Sequence, residues 1–294
     1  LFTARSLTAA ASFLAPAAAH ADLVAWWSFD SPPSGSVVTD SRAGLPGQLL
    51  AGATITDPSQ GRTGTASDRA SRFGVGNQRI RVTNAGYFTD ATAANTLSVS
   101  FWIRQNAIRN STPLSFVAPA TPGGRGFQAH APWSNNIIYF DTGGCCTNDV
   151  HRVFAGTSTD WTQWRHVALI KDGDSKLVYI DGGLLVSGIS TAPISFPITD
   201  LFIGNSPTTT EAVNGDIDDF AVFSHALSDT DVAQLATGAP PDSLPGVNPN
   251  DTDSDGLPDL WELRFYPSLT ELTSPSADRD DDGLTNGSEL ALGT

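Results

Sequence analysis

Hydrophobic and polar residues alternate along short stretches of this chain, which is the pattern of β-strands with one buried face. The clearest stretch, Leu97–Arg104, places Leu97, Val99, Phe101 and Ile103 on one side and Ser98, Ser100, Trp102 and Arg104 on the other. Similar short runs predict strands at Leu23–Phe29, Ala70–Phe73, Arg79–Val82, Leu114–Val117, Asn136–Asp141, His151–Ala155, Leu184–Val186, Leu201–Gly204 and Gly215–Phe223, with a loop from Asp30 to Gly47. Because no long helical pattern separates these strands, we predict a β-sandwich rather than an α/β fold.

The stretch Trp164–Gly182 predicts a β-hairpin. Two strand-like runs, Trp164–Ile170 and Leu177–Ile180, flank a polar turn that contains Asp172-Gly173, and glycine tolerates the positive φ that such a turn needs. A second pair, Asp181-Gly182, predicts the next turn. Because an isolated hairpin is only marginally stable in water, we expect this one to lie at the centre of a larger sheet.

Several motifs of the chain resemble laminin G-like, concanavalin A-like jelly-roll domains. They are W-x-H-V-A-x-x-x-D-G at Trp164–Gly173, Y-x-D-G at Tyr179–Gly182, WSFD at Trp27–Asp30, D-S-R-A-G at Asp40–Gly44, and G-x-I-D-D-x-x-V-F at Gly215–Phe223. The resemblance covers about Asp22 to Leu235. It implies a mainly β fold, a two-sheet antiparallel jelly-roll β-sandwich.

Local signals place the boundaries of the domains. Ser228 and Asp231 approximate a capping box, and Leu227 is placed to pack on Val232, so a short helix is expected after the last strand. Gly238 ends it. We therefore assign residues 22–238 to the sandwich, 239–250 to a Pro-rich linker, and 251–294 to a short C-terminal calcium-loop module that we expect to be truncated.

The N-terminal 21 residues have the features of a signal peptide. Arg5 precedes an apolar run from Leu7 to Ala19, and Ala19-His20-Ala21 fits a cleavage site, although a surface helix is the alternative. No apolar run is long enough to span a bilayer, so we expect a secreted or cell-surface protein with no membrane span. Because the chain contains no Met, we expect Leu1 not to be the encoded start and the chain to be a fragment of a longer protein.

The charge of the chain argues against nucleic-acid binding. The formal net charge is −15, and the sequence contains only two lysines, Lys171 and Lys176. Neutralising phosphates requires clustered Lys and Arg, which this sequence does not supply.

Two acidic segments after the linker match the twelve-residue calcium loop. In this loop the ion is bound by side-chain oxygens at positions 1, 3 and 5, by the backbone carbonyl at position 7, by position 9 directly or through water, and by a bidentate Glu at position 12. The expected ligands are Asp251, Asp253, Asp255, the carbonyl of Leu257, Asp259 and Glu262 in the first loop, and Asp278, Asp280, Asp282, the carbonyl of Leu284, Asn286 and Glu289 in the second. Because a Pro-rich segment precedes the first loop, the pair resembles dockerin or bacterial thrombospondin type 3 repeats more than paired EF-hands. The alternative is an acidic, disordered linker. Calcium is the cofactor we predict.

Catalytic signals are weak, and we predict that the chain is not an enzyme. Glu211 is the only Glu before Asp251, so the E-x-D-x-E strand of concanavalin-like glucanases is absent. Asp218 and Asp219 are adjacent and should point to opposite faces of a strand. His166 lies inside the hairpin and is expected to be a packed sheet residue.

Asp40 and Asp218 resemble acidic positions that hold a structural calcium in related domains, so a second metal site in the sandwich is a further hypothesis.

Loop residues suggest a ligand-binding face. Trp133, Asn135, Asp141 and Asn148 supply an aromatic ring, amides and a carboxylate, which can stack on a sugar and form hydrogen bonds with it. The alternative is that Trp133 covers the core and that the loops are ordinary surface.

The only two cysteines are neighbours, Cys145 and Cys146. In an oxidising compartment they can bond to each other, to another chain or to a metal. Gly143 and Gly144 give the backbone the freedom to enter the tight turn of a vicinal disulfide. We predict this disulfide, at the rim of the ligand-binding face.

These observations lead to one main functional hypothesis, a secreted non-catalytic module that binds a carbohydrate or a cell-surface glycan in adhesion, joined to a calcium-stabilised spacer. One alternative is an assembly protein whose acidic repeats act as a dockerin and bind a cohesin-like protein partner. Another is an accessory domain of a longer secreted enzyme that acts on glycosides.

Overall fold

The computed structural model describes residues 23–42, 44–74, 76–83, 95–207, 210–244, 257, 262, 265, 266, 268, 271, 272, 274 and 276–292. The strands in these ranges are β1 (Leu23–Trp27), β2 (Val37–Thr39), β3 (Pro46–Leu50), β4 (Thr54–Ile55), β5 (Ser71–Phe73), β6 (Arg79–Thr83), β7 (Thr96–Gln105), β8 (Leu114–Val117), β9 (Arg125–His130), β10 (Ile137–Thr142), β11 (Arg152–Gly156), β12 (Arg165–Asp172), β13 (Ser175–Ile180), β14 (Gly183–Ile189), β15 (Asp200–Ile203) and β16 (Gly215–Phe223). The described helices are α1 (Asp229–Ala236) and α2 (Asn286–Leu292), and 3₁₀ turns lie at Pro122–Gly124 and Pro241–Ser243.

The strands form two antiparallel sheets. Sheet A has the order β14-β13-β12-β7-β16-β5-β4, and β1 also pairs with β16. Sheet B has the order β11-β10-β9-β8-β15-β6-β3-β2. The mainly β, two-sheet sandwich predicted from the alternation is therefore confirmed.

A hydrophobic core lies between the inner faces of the sheets. From β7 it takes the four alternating side chains Leu97, Val99, Phe101 and Ile103, all of them fully buried. Sheet B contributes aromatic rings, and those of Phe127 and Phe140 lie 4.7 Å apart. Each such side chain contributes about 1.5–3 kcal/mol when it leaves water, so the core accounts for most of the stabilisation of the sandwich.

A second apolar layer covers the outer face of sheet A. Helix α1 and the segment after it bury side chains that point away from the main core: Leu23, Ala168, Ile170, Tyr179, Ala221, Phe223, Leu227, Val232, Leu235 and Leu244. The predicted capping box is present, with the Ser228 side chain accepting from the Asp231 backbone N–H. Because Leu244 is buried, the packed part of the chain extends beyond Gly238 into the segment assigned to the linker.

The same layer changes the prediction for β7. Its polar side was expected to face solvent, but Ser98 and Ser100 are buried. The Ser98 hydroxyl donates to the His225 carbonyl at 2.7 Å and accepts from the Leu227 N–H at 3.0 Å. Small hydroxyl side chains therefore fit between β7 and the segment that crosses it.

The hairpin from Trp164 to Gly182 is confirmed as β12 and β13. Asp172 pairs with Ser175, and Gly173 in the turn has a φ of 53°. The next turn, Asp181-Gly182, also has positive φ at both residues, as a type I′ turn requires. The hairpin lies toward one side of sheet A, however, and the middle of the sheet is formed by β7 and β16.

Four strands lie where no strand was predicted. The segment from Asp30 to Gly47 was predicted as a loop, but it contains β2 and the start of β3. Strands β4 and β9 were also missed. These strands are short or mix Gly and polar residues with isolated apolar ones, so they contain no apolar run that marks a strand.

Two further sequence predictions concern the signal peptide and membrane spans. The predicted signal peptide, residues 1–21, lies outside the described residues. Among the helices that the structure describes, none combines the length and the apolar character that crossing a bilayer requires.

Candidate functional site

Aromatic side chains line the outer face of sheet B at its β9–β10–β11 end. Tyr139 on β10 is in register with His130 on β9 and with Phe154 on β11. The rings of Tyr139 and Phe154 are stacked with centroids 5.8 Å apart, and His130 meets Tyr139 edge-on at 6.3 Å. Phe154 is 43% exposed and Tyr139 is half-buried, so the stack is open to solvent at Phe154. We call Trp133, His130, Tyr139 and Phe154 the aromatic ledge.

Trp133 joins the ledge from the turn between β9 and β10. Its ring lies edge-on to His130 at 4.4 Å. The turn is closed by hydrogen bonds from the Trp133 N–H to the Ile137 carbonyl and from the Asn136 N–H to the Trp133 carbonyl. The Asn135 side-chain amide donates to the Tyr139 hydroxyl at 3.0 Å. The structure thus brings the predicted residues Trp133 and Asn135 together beside Tyr139.

His130 is held neutral at the base of the ledge. Burial lowers its pKa, and this effect outweighs its hydrogen bond to the Ser111 backbone. Its Nδ1 lies 3.1 Å from the Ser111 carbonyl oxygen, which can only accept, so we assign the proton to Nδ1. Its Nε2 lies 3.4 Å from the Gln128 amide nitrogen. A buried, neutral and hydrogen-bonded imidazole supports the rings above it.

An arginine–carboxylate cluster borders the ledge. Asp141 is fully buried and accepts from Arg152 Nε and Nη2 at 2.6 and 2.5 Å. Arg125 approaches the same carboxylate at 3.4 Å. The Arg152 guanidinium also lies 4.5 Å from the centre of the Tyr139 ring. Asp141 was expected to face a ligand, but its carboxylate is occupied with holding the two arginines.

A vicinal disulfide joins Cys145 to Cys146 next to this cluster. Gly144 precedes it with a φ of 133°, as expected for a turn that needs glycine. Cys145 Sγ lies 3.9 Å from Arg152 Nη2, and Cys146 Sγ lies 3.8 Å from Arg125 Nη1. Because Arg152 contacts both a cysteine sulfur and the Tyr139 ring, the disulfide lies at the border of the aromatic ledge.

The last predicted ligand residue, Asn148, lies in the loop that follows the disulfide. It forms an isolated bridge with Arg152, and the Thr147 carbonyl accepts from the Arg152 N–H at 3.1 Å. This loop therefore connects the cysteines to the start of β11. The residues that sequence reasoning missed are Arg125, Gln128, His130, Tyr139, Arg152 and Phe154, which lie on β9, β10 and β11.

The proposed metal residues of the sandwich have other roles in this structure. The Asp40 carboxylate accepts from the N–H groups of Trp26, Arg42 and Leu45 at 2.8–3.0 Å. Asp218 accepts from the Arg62 N–H at 2.9 Å. Among the described residues, the two carboxylates do not fall in a common group of metal-ligating atoms. In this structure they hold loops through backbone hydrogen bonds, and the metal site in the sandwich stays a prediction.

Asp218 and Asp219 also differ from the expectation that they point to opposite faces. Asp218 accepts from the Arg62 N–H, and Asp219 pairs with Arg62 Nε at 2.5 Å, so both contact one residue. A bulge between Asp218 and Ala221, with a φ of 45° at Asp219, breaks the alternation of the strand. Burial, and then the charge of Asp219, raise the pKa of Asp218 well above its usual value.

His166 is a packed sheet residue, as predicted. It is fully buried, and its Nε2 lies 2.7 Å from the Ser100 hydroxyl. Burial, followed by the charge of Arg62, lowers its pKa to about 3. The imidazole is therefore neutral at physiological pH.

The second predicted calcium loop is described in the structure. Oxygens of Asp278, Asp280 and Asp282 all lie within 4.8 Å of one another. The loop is closed by hydrogen bonds from the Gly283 N–H to Asp278 and from the Leu284 N–H to Asp282. Burial, and then these three carboxylates, raise the pKa of Glu289.

Two buried side-chain oxygens of this loop accept no hydrogen bond from the described residues. Asp278 Oδ1 and Asn286 Oδ1 have no hydrogen-bond partner within the described part of the chain. Of the first loop, Leu257 and Glu262 are described and both are buried, whereas Asp251, Asp253, Asp255 and Asp259 lie outside the described residues. The donor set of the second loop therefore fits a hard divalent cation that prefers oxygen ligands.

Known structures share this fold. Domain 4 of an extracellular arabinanase from Geobacillus stearothermophilus, solved in complex with arabinotriose, is 20% identical with a TM-score of 0.54, and the match covers 74% of this chain and 99% of that domain. The binding domain of botulinum neurotoxin DC in complex with SialylT is 15% identical with a TM-score of 0.54, covering 74% of this chain and 52% of the neurotoxin chain. The same domain in complex with rat synaptotagmin II is 15% identical with a TM-score of 0.52 and the same coverage.

At sequence identities of 15–20%, these comparisons show that the chain shares the fold of the three structures. No curated protein sequence matches the chain. A family model described as the concanavalin A-like lectin/glucanases superfamily matches residues 75–233. Since this match spans more than half of the sequence, the chain belongs to the concanavalin A-like lectin/glucanases superfamily.

Proposed function

We propose that this chain is a secreted, non-catalytic module that binds a carbohydrate on the aromatic ledge. The observation that carries the proposal is the stack of Tyr139 with the exposed ring of Phe154, with the Arg152 guanidinium 4.5 Å from the centre of the Tyr139 ring. The flat apolar side of a sugar ring packs on such rings, while neighbouring polar groups bind its hydroxyls. Asn135 and Arg152 are the polar groups nearest to the stack.

The comparisons support this class of ligand. The arabinanase domain binds arabinotriose in its solved complex, and one neurotoxin binding domain was solved with SialylT. Both have the sandwich fold of this chain without close sequence similarity. The dockerin and accessory-domain alternatives remain predictions.

A glycan array probed with the full chain tests the proposal. We expect binding to at least one carbohydrate, and we expect Phe154→Ala to weaken it by about tenfold, or about 1.4 kcal/mol, because the exposed ring of the stack is removed. Phe154 is largely exposed on an edge strand, so its loss should leave the fold intact.

Leu184→Ala is the matched control, because Leu184 is 54% exposed on the edge strand of the other sheet. It should leave binding unchanged. An array without carbohydrate binding, or equal losses in both variants, would contradict the proposal.

We also propose that the C-terminal loops bind calcium. Three clustered carboxylates repel one another without a counter-ion, and two buried oxygens lack a partner within the described residues. Asp278, Asp280, Asp282, Asn286 and Glu289 would hold the ion in the second loop, together with the Leu284 carbonyl. The ion would supply structural cross-linking of this loop.

A further inference from the structure

The cluster beside the aromatic ledge contains two guanidinium groups and one carboxylate. Arg152 holds Asp141 with two short hydrogen bonds, whereas Arg125 reaches the same carboxylate with one contact of 3.4 Å. The Arg125 side chain is 26% exposed, and Asp141 is completely buried. Arg125 therefore has donors that Asp141 does not use.

In the described part of the chain, the carboxylate that forms ion pairs with Arg125 and Arg152 is Asp141. Asp149 lies in the neighbouring loop, but the described ion pairs do not include it. Glu211 accepts from the Thr112 hydroxyl at 2.9 Å, and this hydroxyl lies 3.1 Å from His130 Nδ1. On the buried side lies Lys176, whose pKa burial lowers to about 6, so the positive charge of the cluster at neutral pH comes from the two arginines. The cluster is thus locally positive in a chain whose formal net charge is −15.

Arg152 connects Arg125, through Asp141, with the Tyr139 ring of the aromatic ledge. Arg152 is 4.5 Å from the Tyr139 ring centre and shares Asp141 with Arg125. One sugar residue on the Tyr139 and Phe154 rings would therefore bring its substituents close to the guanidinium groups. Arginine recognises carboxylates with paired hydrogen bonds and keeps its charge at all relevant pH values.

We propose that the ledge selects glycans that carry a carboxylate, such as uronic or sialic acids, and that Arg125 binds this carboxylate. This inference rests on the proposed carbohydrate binding and specifies its substrate class. The two cysteine sulfur atoms each lie within 4 Å of one guanidinium, so the disulfide borders the proposed acid-binding position.

The test compares polymers that differ only in charge. We would measure binding of the full chain to polygalacturonate and to its methyl ester, with alginate, hyaluronan and polysialic acid as further carboxylated probes and dextran sulfate as a non-carboxylate anion. We expect at least one carboxylated polymer to bind about tenfold tighter than its methyl ester, a difference of about 1.4 kcal/mol. The difference should shrink as the salt concentration rises.

Arg125→Gln should abolish this preference and leave the weaker binding of the ester, while Arg125→Lys should retain part of it. Arg81→Gln is the control, because Arg81 pairs with Asp200 on the same sheet, away from the ledge. Equal binding of acid and ester, equal binding of dextran sulfate, or equal losses in the Arg125 and Arg81 variants would overturn the inference. If the glycan array finds only neutral carbohydrate ligands, the proposed selection for carboxylates is wrong, and the proposed carbohydrate binding stands. If the array finds no carbohydrate ligand, the proposed function is wrong.

Discussion

Both lysines of the chain are buried inside the sandwich, which is unusual for this residue type. Lys171 and Lys176 face each other across the β12–β13 hairpin. The Lys176 amine donates to the carbonyls of Phe140 and His151 at 3.1 and 2.6 Å, and Lys171 donates to the Ser190 carbonyl at 2.5 Å. Lys171 thus connects β12 to the segment after β14. Lys176 connects β13 of sheet A to β10 of sheet B and to the residue before β11.

This burial predicts a pH dependence of stability. Burial lowers the pKa of Lys176 from 10.5 to about 6, so between these values the unfolded chain holds a proton that the folded chain has released. The free energy of unfolding should therefore rise with pH across this window. Lys176→Met should flatten the slope, as measured by urea unfolding from pH 6 to 9.5.

Burial also lowers the pKa of Lys171. The Lys176→Met variant should therefore keep a smaller dependence of the unfolding free energy on pH, and the variant with both lysines replaced by Met should lose it. Arg81→Met is the control, since it removes an exposed cation from β6 in the other sheet. A wild-type slope retained in Lys176→Met would mean that the amine is charged in the folded protein.

At the scale of elements, the β10–β11 connection matters most for the proposed site. It carries the disulfide and Asn148, and it starts and ends on strands that contribute Tyr139 and Phe154. The His151 ring packs against Gly144, where an added Cβ would lie 3.2 Å from two atoms of the imidazole. The loop is therefore closely packed on β11, and its shape determines where the two arginines lie.

The disulfide should accordingly support ligand binding. Replacing both cysteines by serine removes the sulfur contacts to Arg125 and Arg152, so we expect about tenfold weaker binding of the array ligand, or about 1.4 kcal/mol. The core residues are untouched, so the melting temperature should change little. Titration calorimetry and a thermal melt measure the two quantities.

A reductant should weaken wild-type binding and leave the double variant unaffected. Intact mass with alkylation, before and after reduction, reports whether the pair is oxidised. Unchanged affinity in the double variant would show that the turn has no role in binding, and alkylation of both thiols without reductant would contradict the disulfide itself.

At the scale of the whole molecule, two kinds of stabilisation are combined in one chain. The sandwich rests on a large apolar core and a second layer under α1. The C-terminal residues whose side chains the structure describes instead present three clustered carboxylates, and two apolar side chains among them, Leu257 and Leu272, are buried. We therefore expect the two parts to respond differently to metal removal.

Chelation should unfold residues 251–294 and leave the sandwich folded. Calcium titration followed by Trp261 fluorescence, together with calorimetry of the full chain, measures this. Glu289→Gln should weaken the second loop by removing the bidentate carboxylate, while Glu271→Gln, which removes the exposed partner of Arg279, is the control. Equal melting of both parts on chelation, or no response to calcium, would contradict the proposal.

The sequence by itself determined the local features of this protein. The core-facing side of β7, the positive-φ turns of the hairpin and the capping box of α1 depend on neighbouring residues, and each was predicted correctly. The burial of Ser98 and Ser100 on the other side of β7 was not predicted, because it depends on the segment that crosses this strand. The vicinal disulfide was predicted from the same local information, because two adjacent cysteines after two glycines leave few partners.

Only the tertiary structure decided which residues form the site. Strand β9 has no apolar run, so its Gln128 and His130 acquire their roles from pairing with β8 and β10. Tyr139 and Phe154 lie fifteen positions apart in sequence and stack because β10 and β11 pair in one register. Asp141 was expected at the surface, yet it is buried because two arginines from different strands supply the charge that compensates its loss of water. Pairing register and burial are non-local quantities, and for that reason the pattern of single residues did not contain them.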